Sequence, residues 1–277
     1  MSLDYLFPFA GQHAIQSVAF ALDFVSELDI SEVDSIQTAS SVLRSEFSKL
    51  DLQQQNRLEF KIEPRTSGTP GTSSVSVEAN GFVLQRPSSV QEAPLRLINV
   101  TRSRIVIAIN DYTRWDKFKE DINKYLSVLL ATLDSQKAIS SIGLQVNDVF
   151  LWKSDPADLK LDEVFKKNNS YIVSNAFQAP SLWHSHHGYL IKHEVPVKYQ
   201  QLDNINISRT EVDGVPNLQI LISQSVTFLE PLYKFWSTNK STILEIQESL
   251  HNGNKNILKS LLTQAVQDKI DLNAVKG

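Results

Sequence analysis

The stretch RIVIAINDYTRWDKFKEDINKYLSVLL, residues Arg104–Leu130, contains the two kinds of element from which the whole chain is built. It opens with an apolar run that is typical of a β-strand. From Trp115 onward, apolar side chains recur at helical spacing while charged side chains fill the other face. The apolar positions are Phe118, Ile122, Tyr125, Leu126, Leu129 and Leu133. This pattern predicts a helix that packs on a sheet.

Strands and one helix precede this stretch. Val18–Phe24 predicts a buried strand, and Ser31 then predicts the start of a helix. The segments NRLEFKIEP and VSVEANGFVLQRP predict strands, the second with a turn at Asn80-Gly81. Between them, the Gly-, Pro- and Ser-rich segment Arg65–Ser74 predicts a loop. The run LRLINV makes either one long strand with the opening stretch or a hairpin.

A similar order of elements follows it. ISSIGLQVNDVFLWK predicts a strand, and a short helix and several more strands come next. The last two strands flank Asp213-Gly214, which is a hairpin signal. A long helix closes the chain, with Thr242 and Glu245 as its predicted capping box. Asn252-Gly253-Asn254 is expected to interrupt this helix.

The order of elements predicts the fold class. Residues 13–137 give β-α-β-β-β-α, and residues 138–272 give β-α, several strands and α. We therefore predict an α+β protein of two similar halves, residues 1–137 and 138–277. Each half is expected to pack an antiparallel sheet against a long helix. The halves match in the order of their elements and not in their residues.

The composition excludes several classes of protein. The 277-residue chain has a formal net charge of −4 and no cysteine, so it offers no thiolate nucleophile, disulfide or zinc ribbon. A domain that neutralises phosphates usually has a basic excess, so nucleic acid is not expected as the main partner. No apolar run reaches the roughly 20 residues that span a membrane. We predict a cytoplasmic protein without a membrane partner.

Four phrases together resemble one family. They are HAIQSVAFALDF, RIVIAINDYTRWDKFKEDINKYL, IGLQVN and LHNGNKNILKSLLTQAVQDKI. Nearly the whole chain resembles a sporadically distributed family of uncharacterised bacterial proteins. Its central strand usually has the pattern GLRYIN, whereas Gln145 and Val146 occupy the Arg and Tyr places here. The resemblance implies no catalytic residue, and a patchy distribution suggests a mobile-element, defence or toxin–antitoxin context.

Four of the six histidines fall in PSLWHSHHGYLIKHE, residues Pro180–Glu194. On a strand, His184 and His186 would project to one face. They could share a metal ion if His193 or Glu194 on a paired strand supplied a third ligand. HExxH and other established metal spacings are absent. The stretch could instead form the floor of a ligand pocket, with Trp183 as a flat wall, or be a half-buried structural strand.

Two arginines form a second candidate ligand-binding group. Arg102 and Arg104, with Asp111, Arg114 and Trp115, would suit an anion because the arginine fork binds phosphate or carboxylate through two hydrogen bonds. A solvated strand end is the alternative. The chain lacks GxxxxGK[ST], GxGxxG and GxSxG, so we predict no cofactor.

Two functions fit these observations. The first is a noncatalytic protein-binding or regulatory module that forms a homodimer or binds another protein through its sheet edges. The alternative is a metal-assisted hydrolase or small-ligand-binding enzyme centred on residues His184–Glu194.

Overall fold

Ten strands form one antiparallel sheet in the computed structural model, which describes residues 3–60, 73–90, 92–133, 137–179, 182–212, 214–234 and 236–273. The strands are β1 (Leu6–Pro8), β2 (Ile15–Phe24), β3 (Lys49–Phe60), β4 (Ser73–Arg86), β5 (Arg96–Thr101), β6 (Arg104–Ile109), β7 (Ala138–Trp152), β8 (Trp183–His193), β9 (Tyr199–Val212) and β10 (Val215–Tyr233). The helices are α1 (Ile30–Ala39), α2 (Trp115–Leu129), α3 (Leu161–Val164), α4 (Lys240–Leu261) and α5 (Gln264–Lys269). The predicted loop at Arg65–Ser74 lies mostly outside the described residues.

The two halves of the chain share this sheet. Its order is β3-β4-β5-β6-β2-β7-β10-β9-β8, with β1 paired to β7. The strands β3–β6 fold back to β2, and β8–β10 fold back to β7. Pairing of β2 with β7 joins the halves and sets Val18 opposite Val146 and Phe20 opposite Leu144. The α+β class is confirmed, but one continuous sheet replaces the separate sheets that we expected, because both central strands have apolar side chains to bury on the same face.

Helices cover one face of the sheet. The inward residues of the central strands form apolar clusters with residues of α1, α2, α4 and α5. The alternate residues of these strands, such as Ala19, Gly143 and Ser223, are only partly buried. Among the described helices, none is long and apolar enough to cross a membrane.

The long helix α4 differs from its prediction. It begins at Lys240 after Asn239, upstream of the expected capping box, and it runs unbroken through Asn252-Gly253-Asn254. An added Cβ at Gly253 would lie 3.0 Å from Nε2 of Gln224 on β10. Helix and sheet are therefore close at this glycine. Burial of apolar side chains on both sides of the interruption stabilises a continuous helix more than three weak helix formers destabilise it.

Two other boundaries were predicted wrongly and one correctly. Helix α1 is capped by Asp29, not Ser31, because Asp29 and Glu32 form a reciprocal capping box. Asn80 lies inside β4, where Gln53 pairs with Gly81 and the next pair skips one residue. The expected turn is thus a β-bulge. The hairpin between β9 and β10 is confirmed on either side of Asp213, which lies outside the described residues.

Gly81 is required by this bulge. It has a φ of +156°, and an added Cβ would approach the carbonyl oxygen of Val100 to 1.9 Å. We expect Gly81→Ala to lower the free energy of unfolding by about 1–3 kcal/mol through backbone displacement. Urea denaturation measures the loss. The control is Gly11→Ala, where φ is also positive but no atom lies within 4 Å; equal losses in the two variants would contradict the role of the clash.

Candidate functional site

A cavity of about 290 Å³ lies where the two halves meet. Its floor is the helix-covered face of β2 and β7, and α4 covers it. The connection from β6 to α2 forms one wall, and the segment Ile270–Leu272 after α5 forms another. Ligand sites in proteins are commonly concave and mostly apolar, with a few polar groups. This cavity has that character.

Asp148 on the floor is the most unusual residue of the cavity. It pairs with Ile15 of β2 and Ile220 of β10, and only 2% of its surface is exposed. Its Oδ2 atom has no hydrogen-bond partner. Burial raises the pKa of Asp148 to about 7, because a carboxylate without a partner is poorly solvated there. At neutral pH the group can therefore give or take a proton.

His251 on α4 is a second titratable group in the cavity wall. Its ring stacks on Trp115 with 4.0 Å between centroids and 7° between planes. Trp115 donates a hydrogen bond of 2.8 Å from Nε1 to Glu248, which fixes the indole. Burial lowers the pKa of His251 to about 4, with Lys255 adding to the effect against the opposing Glu248. His251 is consequently neutral at pH 7 and cannot act as a fixed cation.

Asn254 faces the same cavity from α4. It is 3% exposed, and its Nδ2 atom has no hydrogen-bond partner. The floor and roof thus present a free acceptor on Asp148 and a free donor on Asn254. Unpaired polar atoms at this depth cost stability, so both residues are candidates for ligand contacts.

The Asp111 end of the cavity wall is held by a buried arginine. Arg96 on β5 donates from Nε to Asp111 at 2.8 Å and contacts Glu46 at 2.8 Å and Asp121 at 3.0 Å. It also donates to the hydroxyl of Tyr125 at 2.7 Å. Asp111 immediately precedes Tyr112, which lines the cavity. This network fixes the connection from β6 to α2 against the sheet.

Comparison with protein-family models and with curated protein sequences finds no match for this chain.

The histidine stretch lies away from the cavity, on the edge strand β8. His184 and His186 are exposed on the open face of the sheet, as their spacing predicted. His193 is on the other face and stacks on Tyr199 with 4.4 Å between centroids. Glu194 follows the strand and contacts Lys198 at 3.7 Å. The structure does not bring the four residues together, and a metal site on them stays a prediction.

The remaining predicted site residues are also separated. Within the described ranges, no group of three or more histidine, aspartate or glutamate residues is placed to hold a metal ion. Trp183 lies on the helix-covered face, 6.3 Å from Phe165 between ring centroids, and so does not share a surface with His184 or His186.

Arg102 and Arg104 are bound within the fold. Arg102 donates to the carbonyl of Leu28 at 2.9 Å and contacts Glu27 at 3.2 Å. Arg104 makes a bidentate ion pair with the carboxylate of Asp23. Both arginines lie at the turn between β5 and β6, whereas Arg114 follows the opposite end of β6. The proposed anion patch is therefore divided between two ends of the sheet.

Sequence reasoning overlooked Asp148, although the sequence contains a signal for it. Ile142, Leu144, Val146, Asp148 and Phe150 occupy alternate positions, so a strand with this apolar face must bury one carboxyl group. A charged residue in such a series is a candidate site residue. The distant residues His251 and Asn254 had no comparable signal.

Proposed function

We propose that this protein is a noncatalytic regulatory module that binds a small molecule in the cavity between its halves. One observation carries the proposal: the carboxyl group of Asp148 is buried in this cavity, and its Oδ2 atom has no hydrogen-bond partner among the described residues. A buried, unpaired carboxyl group lowers stability. A ligand that donates a hydrogen bond or a positive charge to Asp148 would offset that cost, which explains a feature that the isolated fold does not need.

The position of the cavity supports the same proposal. We infer that the halves arose by duplication, since in each of them one long strand near its start, β2 or β7, is central and later strands fold back to it. Ligands often bind at interfaces between such units. A molecule in this cavity would contact β2 from one half and β7 and α4 from the other, and would therefore stabilise their association. Membership of the sporadically distributed bacterial family is part of this proposal.

An edge strand offers a surface for a second copy of the chain. Among the described strands, none pairs with the outer side of β8, and Leu190 on it is 60% exposed between the exposed residues Tyr189 and Ile191. Exposed apolar edges favour pairing with another strand. Antiparallel pairing of two copies centred on Leu190 would set His186 of one copy opposite Glu194 of the other. We therefore propose a homodimer through β8.

Native mass spectrometry of protein purified without chelator or affinity metal tests both the bound small molecule and the homodimer. We expect a dimer mass and a retained small molecule. Asp148→Asn should lose most of that molecule, whereas His186→Ala, altered on the opposite face of the sheet, should keep it. Retention by both variants would contradict the site. A stoichiometric metal that His186→Ala loses would instead support the metal-assisted hydrolase centred on His184–Glu194.

If the ligand dissociates during purification, a second measurement is needed. The Nε1 proton of Trp115 reports on the cavity wall, so its NMR signal should move when a small-molecule library is added. An unchanged signal with every compound, together with an empty protein by mass spectrometry, would refute small-molecule binding.

A further inference from the structure

The polar groups of the cavity differ in how deeply they are buried. At the buried end, Asp148 presents a hydrogen-bond acceptor and Asn254 a donor, and both residues are more than nine-tenths buried. The Oδ2 atom of Asp148 and the Nδ2 atom of Asn254 have no hydrogen-bond partner in the part of the chain that the structure describes. A ligand group that satisfies Asp148 must donate a hydrogen bond, and an adjacent acceptor would satisfy Asn254 as well. Among donors, a basic nitrogen also brings a positive charge that offsets the buried carboxylate.

The mouth of the cavity favours a negatively charged ligand group. The 15-residue helix α2 starts here, and its N-cap residue Arg114 makes no side-chain cap. The N–H groups of its first turn and the helix dipole favour an anion. Arg114 at the N-cap of α2 and Lys255 on α4 also line the cavity, and because Arg114 is exposed and Lys255 half-buried, we place them at its mouth. Neither has an ion-pair partner among the residues that the structure describes.

Two carboxylates also line the mouth, and they offset this charge only in part. Asp116 is already paired with Lys119 at 3.2 Å. Asp271 is exposed on the C-terminal segment. The cations Arg114 and Lys255, together with the first turn of α2, therefore leave the mouth suited to a phosphate or carboxylate.

Apolar side chains line the cavity between its buried end and its mouth. Val18 and Val146 are on the sheet side and Leu258 is on the α4 side, and all three are almost fully buried. The middle of the ligand must match this surface, because burying apolar area is favourable and burying an unpaired polar group is not.

We propose that the cavity takes a small amphoteric molecule with three parts. A hydrogen-bond-donating nitrogen group contacts Asp148 and Asn254, an apolar or aromatic body crosses the middle, and a phosphate or carboxylate lies between Arg114, Lys255 and the first turn of α2. This inference rests on the proposed small-molecule function and specifies its ligand. An α-amino acid does not fit, because its ammonium and carboxylate groups share one carbon.

Two sources supply such a molecule, and each has probes that lack one end. Guanosine 5′-monophosphate and adenosine 5′-monophosphate carry an amino-bearing base and a phosphate; ribose 5-phosphate lacks the base, and guanosine and adenosine lack the phosphate. 6-Aminohexanoate carries an amine and a carboxylate; hexanoate and hexylamine each lack one of them. Isothermal titration should show that at least one complete molecule binds tenfold or more tightly than both of its truncated forms.

Variants locate the binding. Arg114→Gln/Lys255→Gln should weaken the best probe at least tenfold and reduce the salt dependence of its affinity, since the anion loses its counter-charges. Asp148→Asn should weaken it by a similar factor. Lys192→Gln removes an exposed cation from β8 and should leave the affinity unchanged. Circular dichroism verifies that each variant is folded.

Several outcomes would overturn this inference. Equal binding of a complete probe and its truncated forms, or unchanged affinity in the cavity variants, contradicts it directly. If no probe binds, the molecule retained in native mass spectrometry tests the ligand class. A retained molecule without an anionic group or without a donating nitrogen refutes the ligand class and leaves the proposed function intact. No retained molecule and no change at Trp115 refute both.

Discussion

Replacing Asp148 with asparagine is expected to make the protein more stable at pH 8 than the wild type. The carboxyl group has its pKa raised to about 7 by burial, against an ordinary value of 3.8. A shift of about three units corresponds to at most about 4 kcal/mol of destabilisation once the group is ionised. The asparagine amide is also buried, so we expect a net gain of about 2 kcal/mol at pH 8, or roughly 5 °C in Tm.

The pH dependence follows from the sign of this shift. Below pH 4 Asp148 is protonated in both the folded and the unfolded protein, so its ionisation affects neither. Between pH 4 and 7 the unfolded state loses the proton while the folded state keeps it, so the contribution of Asp148 to wild-type stability falls as pH rises. Above pH 7 the loss is complete. Denaturation at pH 4.5, 6 and 8 should show the difference between Asp148→Asn and wild type growing with pH.

His251 provides the matched control for this experiment. Burial lowers its pKa to about 4 from 6.5, so the folded protein resists protonation where the unfolded chain accepts it. Its contribution to stability is therefore lost as pH falls from 6.5 to 4, which opposes the trend from Asp148. In His251→Gln, stability should fall more steeply from pH 4 to 7 than in the wild type. In Asp148→Asn, stability should instead rise over this range. A constant difference between Asp148→Asn and wild type across this range would contradict the buried, unpaired state of Asp148.

Replacing Arg96 with methionine is expected to cost about 3–5 kcal/mol in the free energy of unfolding. The Arg96 side chain is 11% exposed and contacts Glu46, Asp111 and Asp121, each within 3.0 Å. Without the guanidinium, these carboxylates repel one another in a partly dry environment. Chemical denaturation measures the loss. Arg96→Lys keeps the charge but cannot reach all three carboxylates, so it should give an intermediate value.

Arg86 is the control for the Arg96 network. It contacts the same Asp111 at 3.6 Å, but 43% of its side chain is exposed. Removing an exposed partner of this kind usually costs less than about 1 kcal/mol, so Arg86→Gln should have a small effect. Equal losses for Arg96→Met and Arg86→Gln would show that burial does not decide the strength of this network. Because Asp111 precedes Tyr112 in the cavity wall, Arg96→Lys should also retain less of any bound molecule.

Local patterns predicted most of the elements and few of their boundaries. The apolar spacing of α2 is confirmed at Phe118, Ile122 and Leu126, which are all buried. The bulge at Asn80-Gly81 was mistaken for a turn because an Asn-Gly pair suits a turn and a bulge equally. The interruption expected in α4 does not occur, since helix propensity is weaker than the packing of a long apolar face.

The candidate site was predicted much less well than the fold. The sequence drew attention to His184, His186, Arg102 and Arg104, whose density and residue types suggested chemistry. The structure places these residues on an edge strand and in ion pairs at a turn. Local density is a poor guide here because a site requires side chains to converge in space, and β8 directs neighbouring histidines to opposite faces.

The sequence by itself determined the α+β class, the alternating strands and the amphipathic helices, because these depend on periodicity over a few residues. It also placed one charged residue, Asp148, on an apolar strand face. Only the tertiary structure decided that β2 pairs with β7 and that α4 carries Asn254 and His251 over Asp148. Those contacts join residues about 100 positions apart, and their free energy comes from burial and pairing that no local pattern contains.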